Sequence, residues 1–130
     1  MARITLTLNE IFQIAKKNEI LPKQIKSICS KNNNIRLKIK PMVFIPNLNV
    51  DLEFENYKNG VIFLKLSSNF IARQLPKYLK QLTKPDWIEL QNKQILISPN
   101  KIIRNYVNGI EIKNLYFEDN LFIIETKNVS

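Results

Sequence analysis

The sequence predicts an α+β fold: a curved, mainly antiparallel sheet of about eight or nine strands packed on three helices, all in one domain. Three observations carry this expectation. Segments in which apolar and polar residues alternate with period 2, the pattern of half-buried strands, recur along the chain. Three stretches, Leu8 to Asn18, Phe70 to Leu82 and Pro99 to Val107, change to helical spacing. The two ends also repeat each other. Ile4-Thr5-Leu6-Thr7-Leu8-Asn9-Glu10-Ile11-Phe12 aligns without a gap with Ile95-Leu96-Ile97-Ser98-Pro99-Asn100-Lys101-Ile102-Ile103, and Ile25-Lys26-Ser27-Ile28 aligns with Ile112-Lys113-Asn114-Leu115. Two β-α-β-β units therefore flank a central hairpin and long helix.

Each element has its own local reason. Arg3 to Leu8 alternates as a strand, and Thr7-Leu8-Asn9-Glu10 has the form of a capping box that starts the first helix. Leu8, Ile11, Phe12 and Ala15 share one face of that helix, and Pro22 closes the region. Lys23 to Ser30 is open to two readings. The spacing of Ile25, Ile28 and Cys29 suits a helix, whereas the match to Ile112–Phe117 favours a strand before a Lys31-Asn32-Asn33-Asn34 turn. The strand is the reading adopted.

Ile35, Leu37 and Ile39 then alternate with Arg36, Lys38 and Lys40, and Leu48, Val50, Leu52 and Phe54 alternate with Asn49, Asp51, Glu53 and Glu55. A turn at Ile45-Pro46-Asn47 folds the two strands together and sets Lys38 and Lys40 opposite acidic residues among Asp51, Glu53 and Glu55, with a register slip of two as the alternative. Val61 to Ser67 follows after a three-residue loop, Lys58-Asn59-Gly60, with Phe54 opposite Leu64, Leu52 opposite Leu66 and Glu53 opposite Lys65. Ser68 or Asn69 caps the long helix, which Pro76 kinks or splits and Lys84-Pro85-Asp86 ends. Trp87 to Leu90 and Gln94 to Ser98 pair as a hairpin, Leu90 with Ile95 and Ile88 with Ile97. Ser98-Pro99 is an N-cap followed by proline at N1, and Asn108-Gly109 stops that helix. The last hairpin turns at Asp119-Asn120, with a bulge near Asn114 to bring Ile112 into phase with Leu115 and Phe117.

Composition narrows the chemistry. The 130 residues include no histidine and one cysteine, so the usual zinc ligand sets and histidine-based catalysis are absent. Cys29 reads as a small buried side chain, both glycines are spent on turns, and Asp51, Glu53 and Glu55 read as a charge ladder. No enzymatic activity, metal or cofactor is expected. No apolar run reaches membrane-spanning length, and Met1–Glu10 lacks the continuous apolar stretch of a signal peptide. A cytoplasmic location is expected.

The formal charge of +9 allows binding to nucleic acid or to an anionic membrane surface. Lys16, Lys17, Lys23, Lys26 and Lys31 form one basic surface, and Arg73, Lys77, Lys80 and Lys84 form another along the long helix. Lysine, isoleucine and asparagine share A/T-rich codons, however, so solvated lysines from biased composition explain the charge as well. The aromatics lie mostly in apolar stripes, unlike the interleaved stacking residues of single-strand readers.

The remaining candidate ligand is apolar. The strands LNVDLEFENYKNGVIFLKL and the unit PNKIIRNYVNGIEIKNLYFEDNLFIIE resemble, in pattern, the small TULIP-type (LmeA-like) lipid-binding domains. The resemblance implies a curved sheet wrapped around a long helix and an enclosed apolar tunnel. A lipid or other apolar ligand is then expected between the middle strands and the long helix, against Phe12, Phe54, Leu64, Phe70, Leu75, Tyr78 and Leu79. The alternative is that these side chains fill a dry core. Phe63, Trp87 and Leu96 fall on the opposite faces, where a second copy of the chain in a homodimer is one candidate cover.

Overall fold

The computed structural model describes residues 2–21, 23–40, 48–66, 86–91 and 93–128. Their elements in order are β1 (Arg3–Thr7), α1 (Leu8–Lys17), β2 (Ile25–Lys31), β3 (Asn34–Ile39), β4 (Leu48–Lys58), β5 (Val61–Leu66), β6 (Ile88–Gln91), β7 (Gln94–Ile97), α2 (Pro99–Arg104), β8 (Ile110–Glu118) and β9 (Leu121–Asn128). The strands form two antiparallel sheets, one ordered β1-β9-β8 and the other β2-β3-β4-β5-β7-β6.

This corrects the expected fold class. The described residues are mostly β, with two short helices, and the strands divide between sheets of three and six rather than forming one curved sheet on three helices. The expected helix over 70–82, with its cap at 68 or 69 and its proline at 76, lies outside the described residues, as does the turn at 45–47. The terminal repeat explains the division. In the first unit β1 joins the three-stranded sheet while β2 and β3 join the other; in the second, β7 joins the six-stranded sheet while β8 and β9 return to the first. Each helix is therefore a crossover between sheets, and each unit lends its first strand to the sheet that holds the other's hairpin.

Local chemistry sets the elements. The capping box of α1 is complete: the Glu10 amide donates to Thr7 Oγ1 at 3.1 Å, and the Thr7 amide donates to Glu10 Oε1 at 3.0 Å. The stretch from Lys23 to Ser30 holds a strand, Ile25–Lys31, rather than a helix, with Ile28 opposite Leu37. Its neighbour β3 sets Arg36 opposite Asp51 and Lys38 opposite Asn49, so the acidic stripe faces Arg36 rather than Lys38 and Lys40. Arg36 Nε lies 2.7 Å from Asp51 Oδ1, and Arg36 Nη2 donates to Oδ2 at 3.1 Å.

In the β4–β5 hairpin, Leu52, Glu53 and Phe54 face Leu66, Lys65 and Leu64 as expected. The turn is shorter than expected, because Lys58 pairs with Val61 and leaves two residues, Asn59 and Gly60, at φ 54° and 77°. Two successive positive φ values are the signature of a type I′ turn, whose twist matches that of the strands. A bulge between Phe54 and Asn56 absorbs the extra residue.

Helix α2 ends at Arg104, short of Val107, and Ser98 makes no side-chain capping bond; Pro99 at N1 starts the helix without it. The bulge near Asn114 is present, and it places Ile112, Leu115 and Phe117 all in the core. Cys29 is exposed, not buried, because its side chain falls on the outer side of β2.

Buried side chains from both sheets, among them Val50, Leu52, Leu64, Ile95, Leu115 and Phe122, form one core cluster joined by Leu8 of α1. Val50 and Leu52 are 1% and 2% exposed. Among the described residues, two polar links join the sheets at the core's margins. At one, the β2–β3 and β8–β9 hairpin tips clasp each other: the Asn33 amide donates to Asn120 Oδ1 at 2.8 Å, and the Asn120 amide donates to Asn33 Oδ1 at 3.0 Å. At the other, Tyr57 of β4 donates to the Ile112 carbonyl of β8 at 3.0 Å.

Candidate functional site

Between the sheets the described residues leave a cavity of about 370 Å³. The six-stranded sheet contributes Ile28, Leu37, Leu52, Leu64 and Ile95 to its walls, and the other sheet contributes Leu6, Ile112, Leu115, Phe122 and Ile124. Leu8, Ile11 and Ala15 of α1 and Pro99 and Ile102 of α2 add to it, and Gln24 is the one amide side chain among the described lining residues. The alternation of each strand accounts for this surface, since one face of a strand holds every second residue. The phase change at the β8 bulge keeps Ile112 on the same wall as Leu115.

The margin of the cavity near α2 is polar and ordered. Asn100 Oδ1 accepts from the Ile112 amide at 2.8 Å, Tyr57 Oη donates to the Ile112 carbonyl, and Asn100 Nδ2 lies 3.5 Å from the Tyr57 oxygen. Both backbone groups of Ile112 are thus satisfied where the bulge interrupts strand pairing. Burial pushes the Tyr57 phenol above its usual value, with the Asn100 bond opposing it.

The residues expected to hold a ligand are only partly brought together. Leu64 lines the cavity. Phe12 is buried on α1 away from the lining, beneath Lys16 Nζ at 5.9 Å. Phe54 packs instead with Phe117 and Phe122, its ring centroid 6.4 and 6.0 Å from theirs. The expected positions 70, 75, 78 and 79 lie outside the described residues.

The cavity lies between the two sheets and draws on the middle strands and on both terminal units; the long helix against which the ligand was expected lies outside the described residues. Sequence reading missed Ile28, Ile112 and Ile124 as cavity residues. Their alternation marks them as inward-facing, but nothing in it distinguishes a cavity wall from a filled core.

Trp87, expected on an outer face, lines the cavity too. Phe63 and Leu96 face each other across β5 and β7 and are half-buried. The expected basic surface is exposed as far as it is described: Lys16 and Lys17 end α1, Lys23 precedes β2, and Lys26 and Lys31 lie on β2, which packs against α1. Positions 73, 77, 80 and 84 lie outside the described residues. No helix among the described residues is long and apolar enough to cross a membrane. Comparison of the chain with protein-family models, with curated proteins and with solved structures gives no match.

Proposed function

We propose that this protein is a non-enzymatic binding protein for an apolar ligand, a lipid acyl chain in particular, held between the two sheets. The observation that carries the reading is the size of the cavity together with its apolar lining. Apolar walls left facing water cost roughly 25 cal/mol per Å² of apolar surface. An apolar occupant removes that exposure, and it needs no polar partner that the walls fail to supply. Ligand pockets span roughly 300–1,000 Å³, a range that includes this cavity.

The test is uptake of a fluorescent fatty acid by the full chain, wild type against Ile28→Trp. Ile28 is half-buried on the cavity wall, and the larger ring occupies ligand space. Saturable uptake by the wild type, weakened roughly tenfold or more by the substitution, is expected. No uptake, with nuclear Overhauser contacts from residues 67–85 into the cavity walls, would mean that the chain fills its own cavity and would sink the reading.

A further inference from the structure

A second depression lies on the far side of Ile112, which lines both it and the apolar cavity. Its walls are the tip of the β4–β5 hairpin, α2 and the bulged part of β8 with its β9 neighbour. Among the described residues, five with cationic side chains, Lys58, Lys101, Arg104, Lys113 and Lys127, line it with one carboxylate, Glu111. None of these five belongs to the lysine surface expected from the sequence. The fold gathers them from four elements. Lys58 precedes the type I′ turn, Lys101 and Arg104 share a face of α2, Lys113 sits at the β8 bulge, and Lys127 stands opposite Glu111 across β8 and β9.

Glu111 does little to neutralise Lys58, Lys101, Arg104 and Lys127, since its contact to Arg104 is 3.4 Å long and the Arg104 side chain is 63% exposed, and the bond that Lys101 Nζ donates to the Asp86 carbonyl at 3.4 Å leaves the lysine charge in place. We propose that this cleft binds a phosphate group, carried by an anionic phospholipid headgroup or free as inorganic phosphate. Those four cations against Glu111 leave a surplus that exceeds what one carboxylate ligand would balance, and lysines serve a phosphate as point charges without a fixed fork. Tyr57 is the one aromatic among the described lining residues, and its hydroxyl is held by the Ile112 carbonyl, so the cleft offers no base-stacking platform. Helix α2 separates the two environments, with Pro99 and Ile102 on the apolar cavity and Lys101 and Arg104 on the cleft. A headgroup in the cleft and an acyl chain in the cavity would lie on either side of it. The lipid source rests on the apolar-ligand reading above; the phosphate chemistry does not.

The test uses the full chain in two arms. Inorganic phosphate is titrated by amide NMR, and binding is measured to phosphatidylcholine vesicles with and without phosphatidylglycerol. Phosphate should shift the amides of Gly60, Lys101 and Lys113, and vesicles should bind only when they contain phosphatidylglycerol. Lys58→Gln with Lys127→Gln should weaken vesicle binding about thirtyfold, while Lys58→Arg with Lys127→Arg retains it and Lys23→Gln with Lys26→Gln changes it little. Uptake of a neutral apolar probe should survive all three pairs, which separates a failed cleft from a failed cavity. A response to inorganic phosphate without vesicle preference supports the site and assigns it the free anion. Silence in both arms overturns the proposal, as does equal loss in the two glutamine pairs. Binding of an oligonucleotide through these residues with no response to phosphate or vesicles also overturns it.

Discussion

Asp51 shows how one register decides the fate of a charge. Opposite Arg36 it accepts two guanidinium bonds, and these hold its carboxyl below the usual carboxylate value, against the opposing effect of partial burial. A depressed folded-state pKa stabilises the fold above the unfolded value near 3.9 and loses that contribution as pH falls through the folded value. Both side chains are about a third exposed, so the pair contributes roughly 0.2–1 kcal/mol. Asp51→Asn should therefore lower stability by up to about 1 kcal/mol at neutral pH in urea unfolding, with the gap to wild type closing as the pH falls below about 4. A gap that persists undiminished in acid would show that the carboxylate charge is not what stabilises the pair. The alternating stripes made a cross-strand ladder legible in the sequence, but not its register. A shift of two residues keeps every apolar side chain on its face, so hydrophobicity alone does not choose Arg36 over Lys38.

At the scale of elements, the turns explain both what was readable and what was not. Asn59-Gly60, Asn32-Asn33 and Asp119-Asn120 all hold positive φ at both positions, and asparagine, aspartate and glycine tolerate that region best. Those residue types marked the hairpins correctly. The bulge between Phe54 and Asn56 had no comparable mark, so the loop before Val61 read as one residue too long. The α1 cap was legible because Thr7 and Glu10 depend only on each other. The end of α2 was not, since Tyr106 and Val107 continue the apolar spacing without continuing the helix. The two asparagine-bearing tips then act together across the sheets. Asn33→Gly and Asn120→Gly leave the positive φ unstrained and remove one bond each. Each substitution alone should cost about 0.5–1.5 kcal/mol in denaturant, and no loss from either would mean that the clasp does not form in solution.

For the whole molecule, the partition into two sheets matters most. Periodicity says which face of a strand is apolar, but not which strand lies beside it. The gapless match of the two ends identified equivalent units; that their first strands exchange between sheets is a long-range fact, fixed by β1 pairing with β9 and β7 with β5. That exchange sets two apolar faces against each other and brings α1 and α2 to the ends of the space between them. The same topology places the cationic cleft beside the cavity, from residues spread between Lys58 and Lys127. Neither site is visible as a local motif, because each is assembled from strands distant in sequence.

Native mass spectrometry of the full chain, purified without detergent and carefully desalted, bears most directly on whether the space between the sheets is a binding site. The expected spectrum carries adducts with lipid masses, which organic extraction releases as acyl-chain species and which Ile28→Trp diminishes. A spectrum at the bare chain mass alone, from protein that also fails to take up added fatty acid, would contradict the binding function.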